Sequence, residues 1–373
     1  MSGSEGVPDG AGLPGVTWSA LSRDDAIALG VQAPFDRIAA TAMAQAPCGV
    51  HIDVAAGFDG AGEAPVVVDM LGTGAIAFEH VLITVGDGAR VTIVVRHAGL
   101  ATLGELVNLD VGAGAEVTFV SLQLWDAGAV HAGQHSILVG RDARVRKVTA
   151  SFGGDVVRLF ETARFDGPGG SLEQFGVYFA DATQHLEHRL IIDHDAPHTA
   201  SHVDYRGALQ GAGAHASWVG DVLIRAVAED IETYETNRNL VLTDGCWVNS
   251  VPNLEIETGQ IRGAGHSSAT GRFDDEQLFY LRSRGIPENE ARRLVVRGFF
   301  ADLIRRIGVP EVEETLSATV ERELGELADA GREPGAGASA TTGDAPHASA
   351  PPRGGPPSTH SDEPNRPITH QEQ

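Results

Sequence analysis

The sequence predicts a mainly β protein: a β-solenoid flanked by N-terminal and C-terminal helical segments. The 373 residues include 46 glycines and only 6% aromatic residues, which favours a turn-rich β protein with small side chains. From residue 47 to about residue 261, short apolar runs of β-forming residues alternate with Gly and Asp turns. One turn phrase recurs in this region at a nearly constant spacing, which indicates stacked repeats.

The recurring phrase is VGDGARV at 85–91, VGAGAEV at 111–117 and VGRDARV at 139–145, with a weaker copy, FDGPGGS, at 165–171. The offsets are 26, 28 and 26 residues. Each unit offers two or three short strands and a tight turn, so we interpret it as one coil whose apolar layer is covered by its neighbours. At about 27 residues per coil, the region makes roughly eight coils and a rod of about 40 Å. The alternative is a β-sandwich with regular hairpins.

The chain divides by composition into five segments. They are a disordered N-terminus (1–16), an N-terminal helical segment with two short helices broken at Pro34 (17–46), the solenoid core (47–270), a C-terminal helical domain (271–330) and a disordered tail (331–373).

Three helices are expected in the C-terminal helical domain. They run from 274 to 284, from Pro287 to just before Gly308, and from Pro310 to about Leu327. The first would present Leu278, Phe279 and Leu281 as its apolar face. Such faces either cover the last open edge of the solenoid or dock a partner.

Charge and cysteine content exclude several classes of function. A net charge of −24 argues against direct binding to nucleic acid or to an anionic membrane. Two cysteines, Cys48 and Cys246, are too few for a disulfide framework and fit a reducing compartment. We find no signal peptide and no apolar stretch long enough to span a bilayer, so a cytoplasmic protein is expected. The phosphate-binding loop of ATPases is also absent, so no ATP is expected to bind this chain.

His266 is the main candidate for chemistry. It lies in a Gly-rich stretch, 263–271, between the β region and the helices, which we interpret as a hinge. Glycines there would allow positive φ and close approach of another surface. A neutral imidazole can bind iron and transfer protons near pH 7. The alternative is a histidine that only hydrogen-bonds its own hinge.

Other candidates carry weaker signals. Cys246 follows the turn residues Asp244 and Gly245, and is either a ligand or a small buried apolar residue. Five histidines cluster between 185 and 202, with a spacing that would suit a metal site on a helix, although the neighbouring residues favour strand and turn. They are His185, His188, His194, His198 and His202. Acidic residues in the repeats, such as Asp87, Glu116 and Asp142, raise the distant alternative of a carbohydrate-active solenoid enzyme.

The C-terminal half of the chain closely resembles the SufB/SufD family of iron–sulfur cluster assembly proteins, and the SufD branch in particular. The resemblance rests on TNRNLVLTDG (236–245), PNLEIETG (252–259), GHSSATGRFDDEQLFYLRSRGI (265–286) and EARRLVVRGFF (290–300), with a weaker match at APHTASHVDYRG (196–207). It implies a right-handed parallel β-helix. It also implies a non-enzymatic scaffold subunit that pairs with a SufB-like subunit and docks a SufC-like ATPase. The shortage of cysteines argues against a SufB-like scaffold, the nearest alternative.

The resemblance also assigns site residues. His266 matches the SufD histidine implicated in forming the nascent cluster between SufB and SufD, so it is expected to be a ligand or proton relay. Some SufD proteins carry a cysteine two residues earlier, where this chain has Ala264. The cluster would be transient and shared with the partner, with Cys246 a weak further ligand. A homodimer of this chain is a further alternative. Expected partner-interface residues are Leu254, Ile256, Ile261, Asp275, Gln277, Phe279, Tyr280, Arg284 and Phe299.

Overall fold

The computed structural model describes residues 13–273 and 275–330. The strands are β1 (Val16–Leu21), β2 (Gly49–Val54), β3 (Val66–Val85), β4 (Arg90–Val111), β5 (Glu116–Trp125), β6 (Val130–Val139), β7 (Arg144–Gly153), β8 (Val156–Phe165), β9 (Ser171–Ala180), β10 (His185–His194), β11 (Ala200–Leu209), β12 (His215–Ile224), β13 (Ile231–Val241), β14 (Trp247–Ile256) and β15 (Ile261–Arg272). The helices are α1 (Arg23–Ala28), α2 (Arg37–Gln45), α3 (Asp275–Ser283), α4 (Glu288–Ile307) and α5 (Pro310–Ala330). The disorder expected before residue 13 and after residue 330 lies outside the described residues.

The strands form a parallel β-solenoid of about eight turns, which confirms the predicted fold. Even-numbered strands from β6 to β14 stack on one side and odd-numbered strands from β5 to β15 stack on the other. The long strand β4 belongs to both sides, because its first half pairs with β5 and its second half with β6. The sandwich alternative is wrong, because these neighbours pair in parallel and a hairpin cannot do that.

The recurring phrase forms a column of stacked turns. In successive coils the N–H of Gly88, Gly114, Asp142 and Gly169 donates to a carbonyl of the next turn. All four residues have positive φ, and this is why the phrase carries glycine or aspartate at that position.

The period of the solenoid is not constant, however. The register partners Arg90 and Glu116, in an early coil, have a sequence separation of 26. The register partners Ser201 and Thr233, in a later coil, have a sequence separation of 32. The later coils are therefore longer than the repeated phrase predicts.

The N-terminal segment is only partly helical. The two predicted short helices are present as α1 and α2. Residues 17–21, which we assigned to the helical segment, instead form β1 together with Val16, which we assigned to the disordered N-terminus. It runs antiparallel to β2, with Val16 opposite Val54. The stretch is rich in residues that favour strands, and its pairing occupies the free edge of β2.

The C-terminal helices cover the outer face of the odd-numbered strands. Phe300, Leu303 and Ile307 of α4 are fully buried against a patch that includes Phe175 and Phe179 of β9. The guanidinium of Arg206 on β11 joins this contact, because it donates to the carbonyl oxygen of Phe299. The expectation that these helices cover the last open edge of the solenoid is therefore wrong. No helix among the described residues is long and apolar enough to cross a bilayer.

Candidate functional site

The last coil of the solenoid, made of β14 and β15, is open to solvent. Within the described residues, no strand pairs with the outer edge of β14 or of β15. Large apolar side chains are exposed there, including Trp247 (69%), Val251 (45%) and Ile256 (44%). Unpaired strand edges beside exposed apolar side chains are typical of surfaces to which another chain adds.

His266 lies on β15 in this open coil. The hinge interpretation of 263–271 is wrong, since the whole segment is extended and pairs in parallel with β13. None of its glycines has positive φ. Gly265 nevertheless permits a close approach, because a Cβ there would lie 3.0 Å from the ring of Tyr234. The segment thus presents an exposed His266 on a rigid edge strand.

Glu235 is directly beneath His266 in the preceding coil, since the two residues are register partners on β13 and β15. Glu235 is 1% exposed, and neither carboxylate oxygen has a hydrogen-bond partner among the described residues. Burial raises its pKa to about 8, and the nearby Asp221 carboxylate adds to the effect. The carboxyl group is therefore largely protonated near pH 7. Such a perturbed, unpartnered group next to an open surface is a candidate functional residue.

Sequence reasoning missed Glu235 because it lies within an ordinary strand pattern. It precedes His266 by one full coil, and only the lengthened period of the last coils brings the two together. The one available signal was a glutamate at a position of β13 where the alternation predicts an inward side chain.

A row of hydroxyl and amide groups crosses the last coil beside these residues. Ser268 of β15 donates to Ser250 of β14 at 2.7 Å, and Ser250 donates to the side chain of Asn237 at 2.6 Å. Asn237 in turn donates to the hydroxyl of Tyr178 at 3.1 Å. The interior at this end is therefore lined by hydrogen-bonded polar groups.

The fold does not place Cys246 close to His266. It lies in the turn between β13 and β14, where its thiol donates to the carbonyl oxygen of Gly211 and packs on the solenoid core. The residue of β15 that reaches this turn is Arg272, which pairs with Asp244. Arg272 follows His266 by six residues, about 20 Å of extended chain. The two predicted ligands therefore do not share one site within this chain.

The five clustered histidines are distributed over β10, a turn and β11, as the strand-and-turn interpretation predicts. His188 and His194 are buried inside the solenoid. His198 lies in a turn with positive φ and contacts Asp230 at 3.0 Å. In the described part of the chain, the only group with the arrangement of a metal site is elsewhere, and it contains none of these five.

The acidic residues considered for a carbohydrate-active enzyme are structural. Asp87 accepts a backbone hydrogen bond from Ala113 in the next turn. Glu116 is paired with Arg90 and Arg144, both at 3.0 Å. These contacts tie successive coils together and hold the Glu116 carboxylate between two arginines.

The remaining predicted interface residues lie in two areas. Leu254, Ile256 and Ile261 are half-buried or exposed around the open coil. Phe279 (74% exposed), Tyr280 and Arg284 lie on or just after α3, while Phe299 of α4 is half-buried. The predicted apolar face of α3 is partly wrong, because Leu278 is buried but Phe279 faces solvent. The side chains of Asp275 and Gln277 lie outside the described residues.

The fold and site together define a parallel β-solenoid with helices on one face and an open final coil. Residues 68–299 match the family model of the SUF system FeS cluster assembly SufBD core domain. The chain is 48% identical over 317 residues to an iron–sulfur cluster assembly SufBD family protein of Mycobacterium tuberculosis, covering 83% of this chain and 80% of the relative.

More distant relatives carry the SufD name. Identity is 26% to the iron–sulfur cluster assembly protein SufD of Bacillus subtilis and 23% to that of Escherichia coli. These matches cover 66% and 64% of this chain, and 57% of each relative. The chain belongs to the SufBD family of iron–sulfur cluster assembly proteins.

Proposed function

We propose that this chain is a SufD-like scaffold subunit that pairs through its open coil with a SufB-like subunit. Nascent iron–sulfur cluster then forms at the seam between them. The observation that carries the proposal is the position of His266, exposed on β15, an edge strand with no partner on its outer side among the described residues.

The edges of β14 and β15 suit such a pairing. A partner strand laid along an edge gains main-chain hydrogen bonds, and exposed side chains such as Trp247 and Val251 add apolar contact. Pro252 within β14 is consistent with an edge strand, since proline cannot donate to a ladder. At the opposite end, β1 occupies the free edge of β2, but no described strand pairs with the outer side of residues 66–80 of β3.

His266 acts in this proposal as a ligand for iron that the partner helps to hold. One histidine cannot retain a cluster, which usually needs about four thiolates or equivalent ligands, so the cluster is shared and transient. Glu235 supports the histidine from beneath. Its protonated carboxyl can release a proton when positive charge arrives at the seam, and the carboxylate then offsets that charge.

The ATPase partner docks on the C-terminal helices in this proposal. Phe279 and Tyr280 of α3 and Leu294 of α4 are exposed apolar side chains on a domain that is anchored to the solenoid through Arg206 and Asp302. Movement of a docked ATPase would therefore act on the odd-numbered strands, the same stack that ends in β15. Energy for assembly comes from that partner.

Co-expression of this chain with SufB-like and SufC-like subunits from the same source tests the proposal. Native mass spectrometry should detect a complex containing all three for the wild type and for His266→Ala. Iron and sulfide content should fall severalfold in His266→Ala only. A chain that stays alone contradicts the scaffold assignment, whereas a complex whose cluster survives the substitution removes His266 from the mechanism.

The pairing surface has its own test. Val251→Lys on the outer edge of β14 should prevent association with the SufB-like subunit, because it places a charge in an apolar seam. The matched control is Ile76→Lys. Ile76 is 74% exposed on β3 at the other end of the solenoid, so this substitution should leave association unchanged. Equal effects of both variants would contradict the assigned interface.

A further inference from the structure

Four side chains meet inside the solenoid out of contact with solvent. Nε2 of His97 lies 2.8 Å from one carboxylate oxygen of Glu105, and Nε2 of His131 and of His135 each lie 3.2 Å from the other. All four residues are at most 1% exposed. The group is six strands from β15 along the stack, about 29 Å at ~4.8 Å per strand, so it is separate from His266.

The hydrogen bonds of His97 show that the cluster needs a cation between His97 and Glu105. Its Nδ1 lies 3.2 Å from the carbonyl oxygen of Leu122, which can only accept a hydrogen bond, so Nδ1 carries a proton. A neutral His97 then presents a lone pair at Nε2 to an oxygen of Glu105 that also has only lone pairs. Two acceptors 2.8 Å apart require a cation between them, either a proton or a metal ion.

The neighbouring charges do not supply that cation. Lys147 Nζ pairs with Glu161 at 2.7 Å, and both are buried, so these two charges offset each other. His135 accepts from Lys147 at Nδ1 (2.8 Å), which leaves its Nε2 protonated as a donor to Glu105. The Lys147–Glu161 pair therefore has no net charge to offset the Glu105 carboxylate, and the offsetting cation must lie between Glu105 and His97.

We propose that His97, Glu105 and His131 form a buried binding site for a divalent first-row transition-metal ion, Zn²⁺ or Fe²⁺. Two imidazole nitrogens and a carboxylate suit these ions and leave a coordination position open. The three candidate ligand atoms lie within 4.8 Å of one another, and ligand atoms around tetrahedral zinc are ~3.3 Å apart. Gly133 leaves this space free, because a Cβ there would lie 3.0 Å from Nε2 of His131 and 3.2 Å from Glu105.

Trp125 should weaken metal binding through its hydrogen bond to His131. The indole N–H donates to Nδ1 of His131 at 3.3 Å, so the metal-free ring carries its proton on Nε2. Coordination through Nε2 moves this proton to Nδ1, where it faces the indole N–H. Removing the indole N–H should therefore strengthen metal binding.

An entry path lies beside the cluster. A cavity of about 290 Å³ is lined by Trp125 and Glu79, among others. The Trp125 ring separates it from the cluster, with ring centroids 5.5 Å from His97 and 5.6 Å from His131. Glu79 of β3 is the register partner of Glu105 on β4, so the cavity has a carboxylate next to the cluster. An ion reaches the site by displacement of one side chain.

Titration of the full chain with Zn²⁺ by calorimetry, in two buffers of different ionisation enthalpy, tests the site. We expect one ion per chain with release of about one proton, the one that lies between Nε2 of His97 and Glu105 in the metal-free protein. Glu105→Gln should abolish binding, with far-UV circular dichroism reporting the fold. Trp125→Phe should bind Zn²⁺ about tenfold more tightly, the scale typical of groups that orient metal ligands.

The control removes a surface pair of histidines. His185 and His215 have ring centroids 4.4 Å apart and can hold an adventitious ion, so the double variant His185→Asn, His215→Asn should keep the buried site. Binding that disappears in this control, or that persists in folded Glu105→Gln, overturns the proposal. If Glu105→Gln does not fold, an unchanged affinity in Trp125→Phe or the absence of proton release overturns it equally. The outcome does not depend on the proposed pairing with a SufB-like subunit.

Discussion

Replacing Glu235 with glutamine should change how the stability of the protein depends on pH. The carboxyl group is 1% exposed without a partner among the described residues, and burial raises its pKa from 4.5 to about 8. Between these two values the folded chain binds one more proton than the unfolded chain. Wild-type stability therefore falls as pH rises from about 4.5 to 8, and this contribution is constant above 8. Glutamine cannot ionise, so the variant lacks this loss.

The magnitude follows from the pKa difference. Each pH unit within the window is worth about 1.36 kcal/mol, so from pH 5 to pH 8 the wild type should lose on the order of 4 kcal/mol relative to Glu235→Gln. Urea unfolding at pH 5, 6, 7 and 8 measures this difference. Hydrogen exchange of the β13 and β15 amides measures the same loss locally.

Groups that titrate in both proteins cancel in the comparison. The matched control is Glu232→Gln, an exposed glutamate on the same strand, which should follow the wild type at every pH. A difference between wild type and Glu235→Gln that stays constant within about 1 kcal/mol from pH 5 to pH 8 would refute the reasoning. It would mean that Glu235 is solvated or paired in the folded protein.

Two further predictions concern the solenoid interior. Gly207→Ala should destabilise the protein by about 2 kcal/mol or more in urea unfolding, because its methyl group overlaps the ring of Tyr178; Gly259→Ala, with open space around it, should change stability by less than about 0.5 kcal/mol. Lys147→Met should cost about 3–5 kcal/mol, since it leaves Glu161 charged and unpaired in the interior. Adding Glu161→Gln should recover most of that loss, and a double variant no more stable than Lys147→Met would contradict the ion-pair interpretation.

Much of the architecture was predictable from local pattern. The repeated turn phrase exists because each coil needs a positive-φ residue at one corner, as at Gly88 and Gly114, and this constraint is visible in sequence. The ends of α4 and α5 were predictable for a similar reason, since Pro287, Gly308 and Pro310 mark helix boundaries. His266 was identified through its family motif, which requires no knowledge of its surroundings.

The candidate sites depended instead on which residues the stacked coils bring into contact. The coils lengthen along the solenoid, as the larger sequence separation of Ser201 and Thr233 shows, so no fixed repeat places Glu235 beneath His266. His97 and Glu105 meet only because β4 passes from one side of the solenoid to the other between them.

Local pattern was also insufficient at the edge of the fold. The Gly-rich segment 263–271 resembles a hinge in sequence, because glycine lowers strand propensity. It is a strand in the fold because β13 offers a complete ladder of backbone partners. The sequence by itself determined the repeating backbone, the helices and the family. Only the tertiary structure decided which charged groups share the dry interior and which strand edges stay open, because both depend on residues that are far apart in the chain and meet only through the stacking of coils.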